Sequence, residues 1–329
     1  MIYLGDQISA LSIYSEATVC WLGVKLMGRK TNARPKGFHC GKQHCNTCDS
    51  LMKIRSGVNQ DFRNLFSPVL VNEIISSKPH KLYQINQQLK NQYLALHYSE
   101  DDFKTEAYKV FVDSGYTSQW FLPKKWNYKL AELLDKHTCT YCNREYIFVH
   151  KKKKGKGMVP QMDHWFAKSY YPLLALSFYN LIPSCGTCNG IKSSVEMDLG
   201  RHLHPYVDKN VTDSYKFSYL FKSTNDFKII FKNNLTASFK PQYTFEALNL
   251  EMIYQGHSNK ELRDLLDLRY KYSENYLQIL LEKTFGNLAM SDQEKYRLIF
   301  GIEIDKENYH KRIMSKFKKD IIEELLSSK

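Results

Sequence analysis

The chain has 329 residues, of which 43% are hydrophobic, and it carries 47 Lys and Arg residues against 34 Asp and Glu residues. This hydrophobic content is enough for a packed core and excludes a disordered chain. The net charge of +13 favours a polyanionic partner. The apolar-leaning segment 8–27 contains Glu16 and Lys25, so it fits neither a signal peptide nor a membrane span. We expect a soluble, cytoplasmic protein without a membrane partner.

The N-terminal segment, residues 1–60, is mixed in pattern and contains a cysteine cluster at Cys40, Cys45 and Cys48. A basic stretch rich in helix-breaking residues, 28–37, leads into this cluster. The spacing Cys45-x2-Cys48 is typical of zinc sites, but a tetrahedral site needs a fourth ligand. His39, His44 and the distant Cys20 are the candidates. A second zinc site therefore stays open, and so does a loop of reduced thiols or a contact with a partner.

The second segment, residues 61–135, is predicted to be mostly helical because its apolar residues recur at helical spacing. The predicted helices lie within 69–75, 82–96 and 128–134.

The third segment, residues 136–212, is predicted to be a metal-bound core. We predict a strand over 142–150, a basic turn at 151–157, a returning strand over 158–164 and a helix opening at Cys188. The fourth segment, residues 213–329, is predicted to be mainly helical after a short pair of strands. Its strands are placed at 215–221 and 227–231, and its helices at 244–252, 259–285, 292–299 and 306–326. The fold class is thus α+β and mostly helical.

Two CxxC pairs bracket an Asp-His dipeptide in the third segment, and their spacing suits one tetrahedral structural zinc. The four cysteines are Cys139, Cys142, Cys185 and Cys188. Clustered cysteines without a secretory signal indicate metal binding in a reducing compartment rather than disulfides. A metal-bound core confined to the third segment is too small to be held rigidly by packing alone, so the zinc would act as a clamp.

The same segment contains residues suited to phosphodiester hydrolysis, which needs a base for water and a cation for the phosphate. His164 suits the base because imidazole titrates near neutral pH. Asp163 and Asn189 offer oxygen ligands, which Mg²⁺ prefers. Because neighbouring strand residues point to opposite sides, we expect a bend at 163–164 to bring both side chains into one site. Asn180 is expected to hold the loop around His164 by hydrogen bonds to the backbone.

This constellation resembles the HNH nucleases, which have a zinc-braced ββα-metal core, over roughly residues 136–210. The resemblance implies that Asp163 is a metal ligand, His164 activates water, Asn180 stabilises the finger loop and Asn189 is the final metal ligand. Many members have His at the final position. Because Asn189 replaces that His, we expect the metal site to prefer Mg²⁺ or Mn²⁺ over Zn²⁺.

The flanking sequences around Tyr170, Asn180 and 202–206 resemble bacterial HNH proteins of phage-defence and restriction loci, including the Septu-type proteins that work beside an ATPase. This second resemblance implies an antiphage or restriction role. It leaves open a nuclease subunit gated by an ATPase or another sensor partner. A zinc-stabilised nucleic-acid-binding module without cleavage is the other alternative.

DNA is the partner that the HNH resemblance implies, and a basic run beside the site is expected to contact its phosphates without sequence specificity. These candidate contacts are Lys151, Lys152, Lys153, Lys154, Lys156 and, from the helix start, Lys192. His202 and His204 are further candidates for contact with the phosphate or with a metal-bound water. One HNH centre cuts one strand, so double-strand cleavage needs two copies or two events. A homodimer therefore also stays open.

Overall fold

The computed structural model describes residues 1–42, 45, 53–152, 157–223, 226–233, 238–270, 276, 279–284 and 290–327. About half of the chain is helical, and two small antiparallel sheets of two strands each complete the described part. The predicted α+β class is confirmed. Among the described residues, no helix combines the length and apolar character needed to cross a bilayer.

A layer of helices precedes the first sheet. They are α1 (Ile8–Met27), α2 (Gln60–Asn64), α3 (Pro68–Ser76), α4 (Pro79–Leu94), α5 (Glu100–Ala107), which continues as a π-helix over Tyr108–Gln119, and α6 (Trp126–Leu134). Local sequence explains where several begin. The Ser67 side chain caps α3 before Pro68, and Ser99 and Asp102 form a reciprocal capping box at α5. The three helices predicted between residues 69 and 134 are confirmed.

Helix α1 was not predicted, because its N-terminal half exposes Ile8 and Ile13 while its C-terminal half is buried on several sides. Cys20, Trp21, Leu22, Gly23 and Val24 are consecutive and all buried. A helix that is covered on several sides shows no amphipathic stripe in its sequence. The segment 1–60 therefore contains a long helix where the sequence indicated only a mixed pattern.

The first sheet pairs β1 (Gln161–His164) with β2 (Leu181–Ser184), which leads into α7 (Gly186–Lys192). Short 3₁₀ turns at Pro172–Leu174 and Phe178–Asn180 connect the strands. The predicted strand over 142–150 is wrong: only isolated bridges occur there, Thr138 with Tyr146 and His150 with Met158. A regular strand needs a neighbour for its ladder of hydrogen bonds, and β1 takes β2 as its partner.

The second sheet pairs β3 (Tyr215–Ser223) with β4 (Asp226–Asn233), as predicted. The helical elements that follow are Lys240–Ala247, Leu250–Gln255, Ser258–Leu262, Arg263–Tyr270, Ile279–Lys283, Asp292–Phe300, Lys306–Lys311 and Ser315–Ser327. The predicted helix 244–252 is two helices, since Asn249 has the left-handed φ of 49°. The predicted helix 306–326 is interrupted before Ser315, where Met314 has a φ of 59°. Parts of the predicted helix 259–285 lie outside the described residues.

Both flanks of the chain hold the first CxxC turn in place. The Ile2 amide donates to the Thr140 carbonyl over 2.7 Å, and the Met314 amide donates to the Asn143 carbonyl over 2.7 Å. The Tyr254 hydroxyl donates to the Cys142 carbonyl. One apolar core draws side chains from all four predicted segments. The division of the chain into four segments, with boundaries after residues 60, 135 and 212, stays a prediction.

Candidate functional site

The four cysteines of the two CxxC pairs meet in one buried cluster. The sulfurs of Cys139, Cys142, Cys185 and Cys188 all lie within 4.8 Å of one another. Two ligands of a tetrahedral zinc with Zn–S bonds of about 2.3 Å are separated by about 3.8 Å, so the cluster has the size that zinc requires. The cluster could therefore bind a metal such as zinc.

Asp163 is buried between two donors at the end of β1. The Tyr141 hydroxyl donates to its Oδ2 over 2.5 Å, and the Lys192 ammonium lies 3.2 Å from the same oxygen and 3.4 Å from Oδ1. A carboxylate has about four lone-pair sites, so further positions remain for a ligand. Asp163 lines an open cleft, where such a ligand could reach it.

Lys192 does not occupy the surface position that was expected for a phosphate contact. Its side chain is fully buried, and its ammonium donates to the His164 carbonyl over 2.7 Å besides pairing with Asp163. A buried ammonium needs a counter-charge and hydrogen-bond acceptors, and the end of β1 supplies both. The structure thus corrects the expected role: Lys192 fastens α7 to β1 instead of reaching DNA.

His164 has a fixed tautomer. Its Nε2 lies 3.0 Å from the Ala175 carbonyl oxygen. Because a carbonyl can only accept, Nε2 carries the proton, and Nδ1 is left with the free lone pair. Burial and the Lys168 ammonium lower the pKa of His164 to about 3, so the imidazole is neutral at pH 7. The Tyr116 ring contacts the imidazole edge-on, with the ring centroids 4.6 Å apart.

The bend expected at 163–164 is wrong. Both residues lie within β1, with Asp163 opposite Ile182 and His164 opposite Leu181, and the chain bends after them at Trp165 and Phe166. The two residues nevertheless line the same cleft. Their partners differ: Tyr141 and Lys192 hold Asp163, and the Ala175 carbonyl holds His164.

Asn180 ties the loop after β1 to the start of β2. Its Oδ1 accepts from the Phe166 amide over 2.7 Å, and its Nδ2 donates to the carbonyls of Phe166 and Leu174 over 3.2 and 2.9 Å. Its own carbonyl accepts from the Trp165 amide over 3.0 Å. These bonds lie within the loop that presents Ala175 to His164.

Replacing Asn180 by alanine is expected to destabilise the protein by about 1–3 kcal/mol, because the buried Phe166 amide loses its acceptor. The free energy of unfolding from urea titrations measures this. Asn91→Ala on the exposed face of α4 is the matched control. An Asn180→Ala variant as stable as this control would show that the loop does not depend on these hydrogen bonds.

The cleft beside β1 has a volume of about 720 Å³. Asp163, His164 and Asn189 all line it, at the junction of β1 with the first turn of α7. The Asn189 Nδ2 donates to Gln161 Oε1 over 2.5 Å, which leaves the Asn189 Oδ1 as the ligand atom of this amide.

Sequence reasoning missed several residues at this cleft. Tyr116 and Lys168 line it, and the Lys168 ammonium lies 4.9 Å from the centroid of the Tyr116 ring. Tyr141 reaches Asp163 from within the first CxxC turn. Tyr116 lies on the π-helix, far upstream of β1, so no local motif could have indicated it. Lys168 follows the Asp-His dipeptide closely, and that proximity was the available signal.

The other predicted contacts fall outside the cleft or outside the described residues. Lys151 and Lys152 are exposed, and Lys151 pairs with Glu132 at 2.6 Å. The structure describes the basic run only in part, since Lys153, Lys154 and Lys156 lie outside the described residues. His202 and His204 do not line the cleft. His204 is buried against Trp165, with their ring centroids 4.5 Å apart.

A second cysteine cluster lies at α1. The sulfurs of Cys20, Cys40 and Cys45 lie within 4.8 Å of one another, so this cluster could also bind a metal. Among the described candidates for the fourth ligand, Cys20 is therefore one that the fold brings to Cys40 and Cys45. The exposed His39 uses its Nδ1 to accept from the Gly41 amide over 3.0 Å. Cys48 and His44 lie outside the described residues.

Two curated relatives share part of their sequence with this chain. Protein ea31 of Escherichia phage lambda is 26% identical over 169 residues, which cover 48% of this chain and 57% of that protein. Septu protein PtuB of Bacillus thuringiensis is 30% identical over 95 residues, which cover 29% of this chain and 34% of that protein. The chain therefore matches between about a third and just over half of the length of these relatives. No family model matches the chain, and no solved structure does.

Proposed function

We propose that this protein is a metal-dependent HNH endonuclease that hydrolyses phosphodiester bonds in DNA, in antiphage defence or restriction. The observation that carries the proposal is the meeting of Asp163, His164 and Asn189 at one open cleft. The four-cysteine cluster supports it, because it joins the turn before β1 to the start of α7. The similarity to PtuB supports the defence context.

His164 is the proposed general base. Its Nδ1 carries the free lone pair, and the Ala175 carbonyl holds the ring in one orientation through Nε2. A neutral, oriented imidazole can take a proton from water as that water attacks the phosphorus. Asn180 is a positioning residue, because it holds the loop that carries the Ala175 carbonyl.

Asp163 and Asn189 are the proposed ligands of Mg²⁺ or Mn²⁺. Their donor atoms are a carboxylate and an amide oxygen, which hard divalent cations prefer, and two protein ligands leave positions for waters and phosphate oxygens. When bound, the ion supplies positive charge for the phosphate and the leaving oxygen. The exposed Lys168 ammonium at the wall of the cleft can add a contact to a phosphate of the substrate.

Lys192 would weaken metal binding at this site, because its ammonium already neutralises the Asp163 carboxylate. Lys192→Met is therefore expected to lower the Mg²⁺ concentration that gives half-maximal cleavage. The same change should cost about 3–5 kcal/mol of stability, since it leaves a buried carboxylate without its counter-charge. Metal titrations of the cleavage rate and urea unfolding measure the two effects.

The Asp163→Asn/Lys192→Met double variant provides the control for this prediction. Removing both charges should restore much of the stability that the single Lys192→Met variant loses, because the two residues are in contact. A Lys192→Met variant with wild-type stability, or a double variant no more stable than Lys192→Met, would contradict the ion pair.

Incubation of the purified, zinc-loaded protein with supercoiled plasmid and Mg²⁺ or Mn²⁺ tests the proposed activity. We expect nicking that EDTA abolishes, and a single-stranded RNA substrate in parallel checks the preference for DNA. Cleavage only after addition of an ATPase partner and ATP would favour the gated subunit instead. Binding of DNA without cleavage under both conditions would favour a zinc-stabilised binding module and contradict the nuclease.

A further inference from the structure

We infer that Cys20, Cys40 and Cys45 hold a second structural zinc, which fixes the basic loop 28–40 on helix α1. The inference rests on the N-terminal segment alone and is independent of the nuclease proposal. The two cysteine clusters draw on different residues, so their zinc contents can be measured and altered separately.

The distance between sulfurs favours a shared metal over a disulfide. The sulfurs of Cys20 and Cys45 are 3.5 Å apart. Two thiolates on one tetrahedral zinc are separated by about 3.8 Å, whereas a disulfide bond is about 2.0 Å long. The sulfur of Cys40 lies within 4.8 Å of both. Three sulfurs thus lie close enough to share one ion, and a tetrahedral zinc would take one further ligand.

The loop has little apolar packing of its own to hold it on α1. Phe38 packs with Cys20 and Val24 in a cluster that is separate from the main core of the described residues. The loop is closed by hydrogen bonds from the Phe38 amide to the Gly28 carbonyl over 2.7 Å and from the Lys30 amide to the Phe38 carbonyl over 3.0 Å. So small a cluster cannot stabilise a loop alone, and a structural metal commonly replaces the missing core.

Helix α1 is shaped to receive the loop. A Cβ atom added at Gly23 would lie only 2.3 Å from Cδ2 of the Phe38 ring, so this close approach requires glycine. Cys20 lies one helical turn before Val24 and is buried at the same contact. The close approach of Phe38 to Gly23 brings the loop near enough to α1 for Cys20 to lie beside Cys40 and Cys45.

The loop that the zinc would fix is strongly basic. Its exposed cations are Arg29, Lys30, Arg34 and Lys36. Lys42, just beyond them, pairs with Glu16 on α1 and so adds an ion pair between the loop and the helix. The second zinc would therefore present a fixed group of positive charges at the end of α1.

Native mass spectrometry of the wild-type chain, purified without a metal-chelating tag, tests the inference. We expect two zinc ions per chain, and one in Cys20→Ser and in Cys40→Ser. Cys40 is only partly buried, so its variant is expected to fold even if the substitution at the buried Cys20 is disruptive. Ser15→Ala, in the same groove on α1, is the matched control and should keep two.

Cobalt provides a second readout. Replacement of zinc by Co²⁺ should give thiolate-to-cobalt charge-transfer absorption for two sites in the wild type, and for one in Cys40→Ser. A single zinc in the wild-type chain would overturn the inference. So would two zinc ions in a folded Cys40→Ser, or a disulfide between Cys20 and Cys45 after alkylation and denaturation.

Discussion

His164→Ala is expected to lower the rate of metal-dependent plasmid nicking by about 10²–10⁴-fold, the range that a positioned general base contributes. The loss should appear in the maximal rate at saturating metal, because the proposed metal ligands Asp163 and Asn189 are unchanged. The rate constant for loss of supercoiled plasmid, measured with enzyme in excess, gives this comparison. Zinc content and the unfolding transition must match those of the wild type.

His80→Ala is the matched control, because His80 is an exposed histidine on α4 outside the cleft. It should cut at the wild-type rate. A folded His164→Ala that also keeps the wild-type rate would show that another group accepts the proton of water. His164 would then be a buried structural histidine, held by Ala175 and Tyr116.

Loss of the metal from the four-cysteine cluster is expected to have the largest effect on stability. Structural zinc contributes on the order of 10 kcal/mol in small zinc modules. Cys142→Ser removes one ligand from a cluster that joins the first CxxC turn to the start of α7. Without the metal, the remaining buried cysteines would have no shared ligand, and the first CxxC turn would lose its connection to the start of α7. Tyr141 of that turn bonds Asp163 of β1, so we expect rapid amide exchange in both β1 and α7, and loss of nicking.

Hydrogen–deuterium exchange of Cys142→Ser, compared with the wild type before and after chelation, measures this effect. Thr187→Ser is the control, since Thr187 is exposed in the second CxxC turn, between Cys185 and Cys188, and offers no sulfur. Wild-type protection of β1 and α7 in a zinc-free Cys142→Ser variant would mean that packing alone holds the site.

The parts of the fold with periodic sequence could be predicted, and those set by long-range contacts could not. Helices α3, α4 and α6 and strands β3 and β4 follow local apolar spacing, and the structure contains them. Helix α1 is buried on several sides in its C-terminal half and exposes Ile8 and Ile13 in its N-terminal half, so it lacks an amphipathic signal. The partner of β1 could not be predicted either, because the choice between the segment 142–150 and β2 depends on tertiary packing.

In the candidate site too, some features could be predicted from local sequence and others depend on long-range contacts. The CxxC spacing predicted which cysteines would meet, since zinc geometry restricts the sequences that can bind it. The spacing could not show that the Lys192 side chain is buried. The ion pair that stabilises it there involves Asp163, which is 29 residues away in sequence. Similarly, the sulfur of Cys20 lies beside that of Cys45, which is 25 residues away in sequence. The roles of Asp163, His164, Asn180 and Asn189 stay predictions.

The central claim is that one cleft combines a divalent ion with the histidine base, and a crystal of the zinc-loaded protein soaked in Mn²⁺ tests it most directly. An anomalous-difference map at the manganese edge should show an ion bound by Asp163 and Asn189, on the side of the cleft where His164 lies. Manganese absent from this cleft in a folded, zinc-loaded crystal, with the Lys192 ammonium still paired to Asp163, would contradict the account.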